Sequence, residues 1–349
     1  MSTIDELCAA AAVVVAEHPG TSCQLAVGSG GDVVAFETFG GATNDYRFSI
    51  FSATKPFVAS VVWLLVADGR VDLSDPIDQY VPELGAAGLG AVTIEQVMLH
   101  TAGFPNAPMD TVEGGDAIRR RARFATWHSE WEPGTRFEYH AESAHWVLAD
   151  LIDRVTGADY RDVLEARVCA PLGVPRILGI PVEDQADIVS MVPRSEAAAA
   201  DPLRRLDEPL ARLAGNPAGG GCMTAAHLAR FYQGLLHNPG GVWDDAVLRD
   251  ALTNIRCTFP DPLLGVAANR TVGLVLAGDD GHHQLRYAIF GRGCSPGSFG
   301  HAGAHAQVAW ADPASGISFA FLTNAMHEDM MQSGMTSNRL ATIAADLRF

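Results

Sequence analysis

The sequence contains a single lysine, Lys55, among 24 basic residues set against 41 acidic ones. A formal net charge of −17 argues against nucleic acid and anionic membrane surfaces as partners, because both demand a cationic face. The short run Arg119-Arg120-Arg121 does not change that and reads as the solvated face of a helix. No apolar stretch is long enough to span a bilayer. Residues 9–16 are apolar, but Asp5 and Glu6 precede them where an export signal would carry basic residues, so the expectation is a soluble, cytoplasmic protein. The six cysteines (Cys8, Cys23, Cys169, Cys222, Cys257 and Cys294) form no CxxC pair and stand at no zinc-ligand spacing with histidine. Scattered in this way they read as reduced thiols. There is no HExxH-like pattern, and His282-His283 and His301/His305 are too sparse for a metal centre. Neither metal nor cofactor is expected.

What is present is a long chain of ordinary globular composition. Its 349 residues, 48% of them hydrophobic, provide for one large domain or two interleaved ones. A capped helical run over 3–17 is followed by two strand patterns, 23–28 and 32–39, separated by Gly28 to Gly31, which read as a hairpin. Residues 76–214 carry helical patterns and loops, with a capped short helix over 93–100, another over 143–155 closed by Gly157, and a third over 156–166. Residues 181–215 are polar, alanine-rich and poorly patterned, as in a long excursion over the surface. Thr224 caps a helix over 225–236. Strand alternation then returns at 271–277, 285–290, 306–312 and 317–323, and a helix over 331–347 closes the chain. The pattern predicts an α/β (α+β) fold. An antiparallel sheet, built from both chain termini and flanked by helices, occupies 1–75 and 215–349, and a helical domain (76–214) is inserted in its middle.

The chemistry centres on Phe51-Ser52-Ala53-Thr54-Lys55-Pro56, ahead of the apolar run 57–66. Three residues apart at a helix start, Ser52 and Lys55 share one face of the first turn. A neutral amine placed there can take the proton of the serine hydroxyl. The alternative is a solvated cation that gains nothing from the helix dipole. Tyr139, in Glu132-Pro133-Gly134-Thr135-Arg136-Phe137-Glu138-Tyr139-His140, precedes a helix and reads either as a base or as a half-buried aromatic. His301, in Gly300-His301-Ala302-Gly303-Ala304, enters a strand where glycine permits close backbone approach. Its alternative is an incidental turn residue. Leu99-His100-Thr101-Ala102-Gly103 reads as a structural helix end.

Taken together and in this order, these stretches resemble the serine β-lactamase and penicillin-binding-protein superfamily, in its class-C-like esterase branch. Ser52-Ala53-Thr54-Lys55 matches the family's Ser-x-x-Lys, Tyr139 its Tyr-x-Asn tyrosine, and His301-Ala302-Gly303 stands in place of Lys-Thr-Gly. His100-Thr101-Ala102-Gly103 is similar to its His-Thr-Ser-Gly segment, with Ala102 for serine. The resemblance runs from about residue 20 to the C-terminus. It implies Ser52 as nucleophile, with Lys55 and Tyr139 sharing general-base work as a coupled pair. The backbone N–H groups of Ser52 and Ala304 would form an oxyanion hole, each good donor removing roughly 3–4 kcal/mol of barrier. His301 and Gly303 would line the substrate site beside Phe104 and His140.

Two departures bear on the substrate. The family's Asn is Ala141 here, which removes a contact to an acyl amide, and His301 replaces a lysine that helps to hold a substrate carboxylate. Both point toward a neutral ester, with β-lactamase activity weak if present. The leading reading is a serine esterase acting through an acyl-enzyme on a small-molecule ester or acyl substrate. Acyl transfer from the same intermediate is the nearest alternative, followed by weak β-lactamase or D,D-peptidase-like activity and then a non-catalytic binding protein. Phe104, Trp127, Trp131 and Phe137 are expected to form an apolar acyl pocket. Nothing in the motifs speaks to oligomeric state.

Overall fold

The computed structural model describes residues 2–349. Helix α1 (Ile4–Ala16) opens with a capping box in which Thr3 and Glu6 satisfy each other's backbone N–H. Strands β1 (Ser22–Ser29) and β2 (Asp32–Gly40) form the expected hairpin. Gly30 and Gly31, both at positive φ (62° and 93°), make its two-residue turn, a conformation that other residues resist. Strand β3 (Phe48–Ser49) leads through a 3₁₀ turn, Phe51–Thr54, into α2 (Lys55–Ala67). Short helices follow: α3 (Pro82–Ala86), α4 (Ile94–Met98), α5 (Thr111–Gly115) and α6 (Ala117–Phe124). The long α7 (Ser143–Thr156) ends at Gly157 in the left-handed conformation, and α8 (Tyr160–Leu164) comes next. Strand β4 (Val192–Pro193), α9 (Glu196–Ala199) and α10 (Pro209–Ala214) precede β5 (Cys222–Met223). Then come α11 (Ala225–His237), capped by Thr224, and α12 (Asp245–Thr253). The chain closes with β6 (Val275–Leu276), β7 (Phe299–Ala302), β8 (Val308–Asp312), β9 (Ile317–Thr323), β10 (Ala325–Met326) and α13 (Met330–Ala345).

The main sheet is antiparallel throughout, in the order β2-β1-β9-β8-β7-β6. It joins strands from both ends of the chain, as the sequence pattern predicts. Its two faces are built differently. Leu25, Val27, Trp310, Phe319 and Phe321 point to one side and pack with α1 and α13. Ala26, Ala309, Ala311 and Ala320 point to the other, where α11 crosses. Small residues on that face let a helix lie close, while large ones fill the wider gap opposite. A continuous apolar cluster then runs from the alanine face through α11, α2, α4 and α7, so the helical stretch and the sheet share one core.

Four local expectations need correction. Residues 285–290 are not a strand: a 3₁₀ turn, His283–Leu285, is followed by Tyr287 and Ala288 at positive φ (54° and 52°), which no extended chain accommodates. The strand at 271–277 shrinks to Val275–Leu276, because Gly273 turns the backbone at a φ of 118° where it meets α2. Residues 181–215 are not a bare excursion, since Met191, Ala198 and Leu206 pack on Phe51 and Met326 and β4 pairs in parallel with β10. Finally, Arg120 is no solvated cation. It is 1% exposed and ion-paired to Asp150 and Asp153.

Candidate active site

The site forms where the 3₁₀ turn meets α2. Phe51 adopts a φ of 46°, rare for a bulky residue, and bends the chain so that Ser52 stands at the turn's head. The bend is held from both sides. Ile50 N–H donates to Gly221 O (2.9 Å), and Thr54 Oγ1 donates to Phe51 O (2.6 Å) while accepting from Gly221 N–H (3.0 Å). Pro56 sits in the first turn of α2, where its missing N–H costs nothing.

Lys55 is 1% exposed, and its Nζ makes three contacts: Ser52 Oγ at 3.1 Å, Ala141 O at 2.7 Å and Ala218 O at 2.8 Å. The two carbonyls can only accept. A neutral amine has two hydrogens for them and one lone pair, which is then left for the Ser52 hydroxyl. Burial lowers the Lys55 pKa; Tyr139 and Glu142 oppose that shift and Arg270 reinforces it. The Tyr139 ring lies 5.0 Å from Nζ, centroid to nitrogen, and its buried hydroxyl acts on the amine, favouring the ammonium form.

Tyr139 is held by a zipper between two loops. His100, itself at positive φ (59°), accepts His140 N–H at Nδ1 (3.2 Å), and its carbonyl accepts Glu138 N–H (3.2 Å). His140 Nε2 accepts Phe104 N–H (3.1 Å), which fixes the other nitrogen as the donor to Glu138 O (2.6 Å). Ser143 Oγ donates to Phe104 O (2.9 Å). Phe104 and His140 are therefore corrected from substrate contacts to scaffold: both are wholly buried, and both ring nitrogens of His140 are spent on backbone. Phe104, Trp127 and Phe137 belong to the core rather than to an open acyl pocket.

His301 also turns away from the expected substrate role. Nδ1 donates to Ala302 O (2.7 Å), so Nε2 is the acceptor that receives Arg270 Nη1–H at 3.2 Å. Both nitrogens are engaged within the protein and the residue is 4% exposed. Gly303 keeps its place for a steric reason: a Cβ there would collide with Ile50 O, two residues before Ser52. Beyond it the backbone turns at His305 and Ala306, both at positive φ, and Ala304 packs against the Phe51 cluster. The N–H of Ser52, at the head of its turn, has no intrahelical acceptor, and that of Ala304 makes no backbone hydrogen bond among the described residues.

Three contributors escaped the motif reading. The carbonyls of Ala141 and Ala218 hold Lys55, and Arg270 lies beside Tyr139, its guanidinium carbon 5.2 Å from the ring centroid. No spacing marks them. The run Gly219-Gly220-Gly221 was the one available signal, since it lets the loop carrying Ala218 press against the turn at Phe51 and Thr54. Burial holds His100, His145 and His301 far below the usual imidazole range and brings His140 down to about 4, so all four rings are neutral near pH 7. Among the described residues no cluster of three or more His, Cys, Asp or Glu side chains could hold a metal ion, and no helix is long and apolar enough to cross a membrane.

Sheet and helices together form the β-lactamase fold. The model of the family described as Beta-lactamase matches residues 11–342, and the chain belongs to that family. It is 29% identical over 311 residues to the esterase/beta-lactamase LipL of Mycobacterium tuberculosis (strain ATCC 25618 / H37Rv), covering 79% of this chain and 68% of that one. With esterase EstB of Burkholderia gladioli it shares 27% identity over 334 residues, 82% of this chain and 79% of EstB. The crystal structure of a family VIII carboxylesterase superposes with a TM-score of 0.81 at 23% identity, covering 97% of this chain and 96% of that one.

Proposed function

We propose that the protein is a serine carboxylesterase that cleaves a neutral ester through an acyl-enzyme on Ser52. The observation that carries this reading is the environment of Lys55: two backbone carbonyls take up two donors of a buried amine, whose third contact is Ser52 Oγ at 3.1 Å. In the first half-reaction the Ser52 proton passes to the Lys55–Tyr139 pair as Oγ attacks the ester carbonyl. The N–H groups of Ser52 and Ala304 receive the oxyanion. Collapse expels the alcohol, which takes a proton from the pair, and water then repeats the sequence on the acyl-enzyme. The absence of an asparagine at Ala141 and of a lysine at His301 supports a neutral substrate, and the two esterase-named relatives support an ester over an amide.

Intact-protein mass spectrometry with p-nitrophenyl butyrate and a fluorophosphonate tests the reading. A covalent adduct on wild type, absent from Ser52→Ala, together with nitrophenol release, is the expected result. No adduct with either reagent overturns it. Added alcohols that divert the acyl group faster than water would make the same intermediate that of an acyltransferase.

A further inference from the structure

Arg270 is 2% exposed and forms no ion pair with a carboxylate among the described residues. Its one side-chain hydrogen bond goes to His301 Nε2, while Nε and Nη2 have no partner. Three aromatic faces surround the guanidinium: Tyr139 at 5.2 Å, Tyr287 at 5.3 Å and Phe137 at 5.5 Å, measured to ring centroids. A carboxylate, Asp261, stands one residue removed, accepting the Tyr287 hydroxyl at 2.7 Å. An arginine cannot shed its charge, and a buried cation without a counter-ion is costly, so a use for it in the site is worth seeking.

We propose that Arg270 is a positioning residue of this site, a fixed positive charge that favours loss of the proton shared by Lys55 and Tyr139. The proposal rests on the general-base reading above. His301, standing where the family has a lysine, then has a task that needs no charge of its own: its Nε2 anchors the guanidinium against the Tyr139 ring. The other groups facing Tyr139 do not duplicate that charge. His100 (4.8 Å between ring centroids), His301 (6.2 Å) and Tyr287 (5.8 Å) are neutral, and His145, which acts on Lys55 from α7, is neutral as well. Glu142 pulls the opposite way by favouring the ammonium form of Lys55. Arg270 is therefore the one permanent cation among the groups facing the pair. A unit charge at the 5.2 Å that separates the guanidinium carbon from the Tyr139 ring centroid, at an effective dielectric of about 20, displaces a titration by roughly two pH units.

The test is the pH dependence of kcat/KM for p-nitrophenyl acetate, a neutral ester, in wild type, Arg270→Gln, Arg270→Lys and Tyr139→Phe. Arg270→Gln is expected to move the acid limb up by about two pH units, a loss of roughly 100-fold on the limb, with KM unchanged. Arg270→Lys should return little of the shift, because a lysine buried there can shed its proton as arginine cannot. Should Arg270→Gln fail to fold, His301→Leu, which removes the anchor and keeps the charge, is expected to move the limb in the same direction by less. An unmoved limb overturns the proposal, as does a loss seen only as raised KM with the limb in place. Tyr139→Phe separates the two levels. If it keeps the wild-type limb and rate, the general-base reading fails; if it abolishes the limb while Arg270→Gln leaves it in place, Arg270 alone is misassigned.

Discussion

Two arginines lie equally deep in this protein and keep opposite company. Arg120, on α6, meets Asp150 at 2.9 Å, Asp153 and the carbonyl of Gly114 at 2.7 Å; Asp150 is shared with Arg121 and with Arg154, which reaches on to Glu83. Every charge in that network has a partner, and its work is to lock α6 onto α7. Arg270 has an imidazole nitrogen and aromatic faces, with two donors unspent. A satisfied buried charge contributes to structure, whereas an unsatisfied one stores a field that chemistry can use.

The comparison can be broken by mutation, and the largest effect lies on the active side. Ser52→Ala should abolish acylation, a loss of at least about 10³-fold in kcat/KM, while leaving the melting temperature in place, because Ser52 Oγ holds no bond besides that with Lys55. Next, Arg120→Met should cost about 3 kcal/mol in urea unfolding, by taking from Asp153 its arginine and from Asp150 one of three, without changing the acylation rate of the folded enzyme. Arg270→Met should do the reverse and lose rate at little or no cost in stability. Equal destabilisation by the two methionines would erase the contrast.

A pH effect of similar rank comes from the zipper. His140 has a folded pKa of about 4 against an ordinary value of 6.5. The unfolded chain binds the extra proton, so the contribution of His140 is full above pH 6.5 and is lost as pH falls towards 4. It amounts to about 3 kcal/mol, and His140→Gln should flatten that part of the urea-midpoint profile. The smallest effect is Gly303→Ala. Forcing a methyl against Ile50 O should cost about 1–3 kcal/mol and weaken fluorophosphonate labelling of Ser52 more than it lowers the melting temperature.

What could be read from the sequence was local. Thr3, Thr93 and Thr224 announce helix starts and Gly157 a helix end, because a cap bonds within three residues of itself. The alternation over 317–323 gave β9 to the residue. Residues 285–290 alternate just as well, yet Arg286 is drawn inward to Ala267 O, Ala277 O and Asp280, and Tyr287 turns the chain, through contacts that local pattern does not encode. The site divides in the same way. Ser52 and Lys55 meet through one turn of backbone, but Arg270 meets Tyr139 across 131 positions and carries no motif. His140 does not share its neighbour's direction: adjacency to Tyr139 in the chain sends its side chain the other way, towards Phe104 N–H.

The sole lysine being enclosed at 1% exposure changes how this protein meets electrophiles. Its surface cations are arginines, so it presents no decoy ε-amines to acetylating, carbamylating or glycating agents. Lysine modification would have a single address, and on the general-base role proposed for Lys55 its occupancy would equal the fraction of activity lost. One modified tryptic fragment would then serve as a measure of the fraction inactivated.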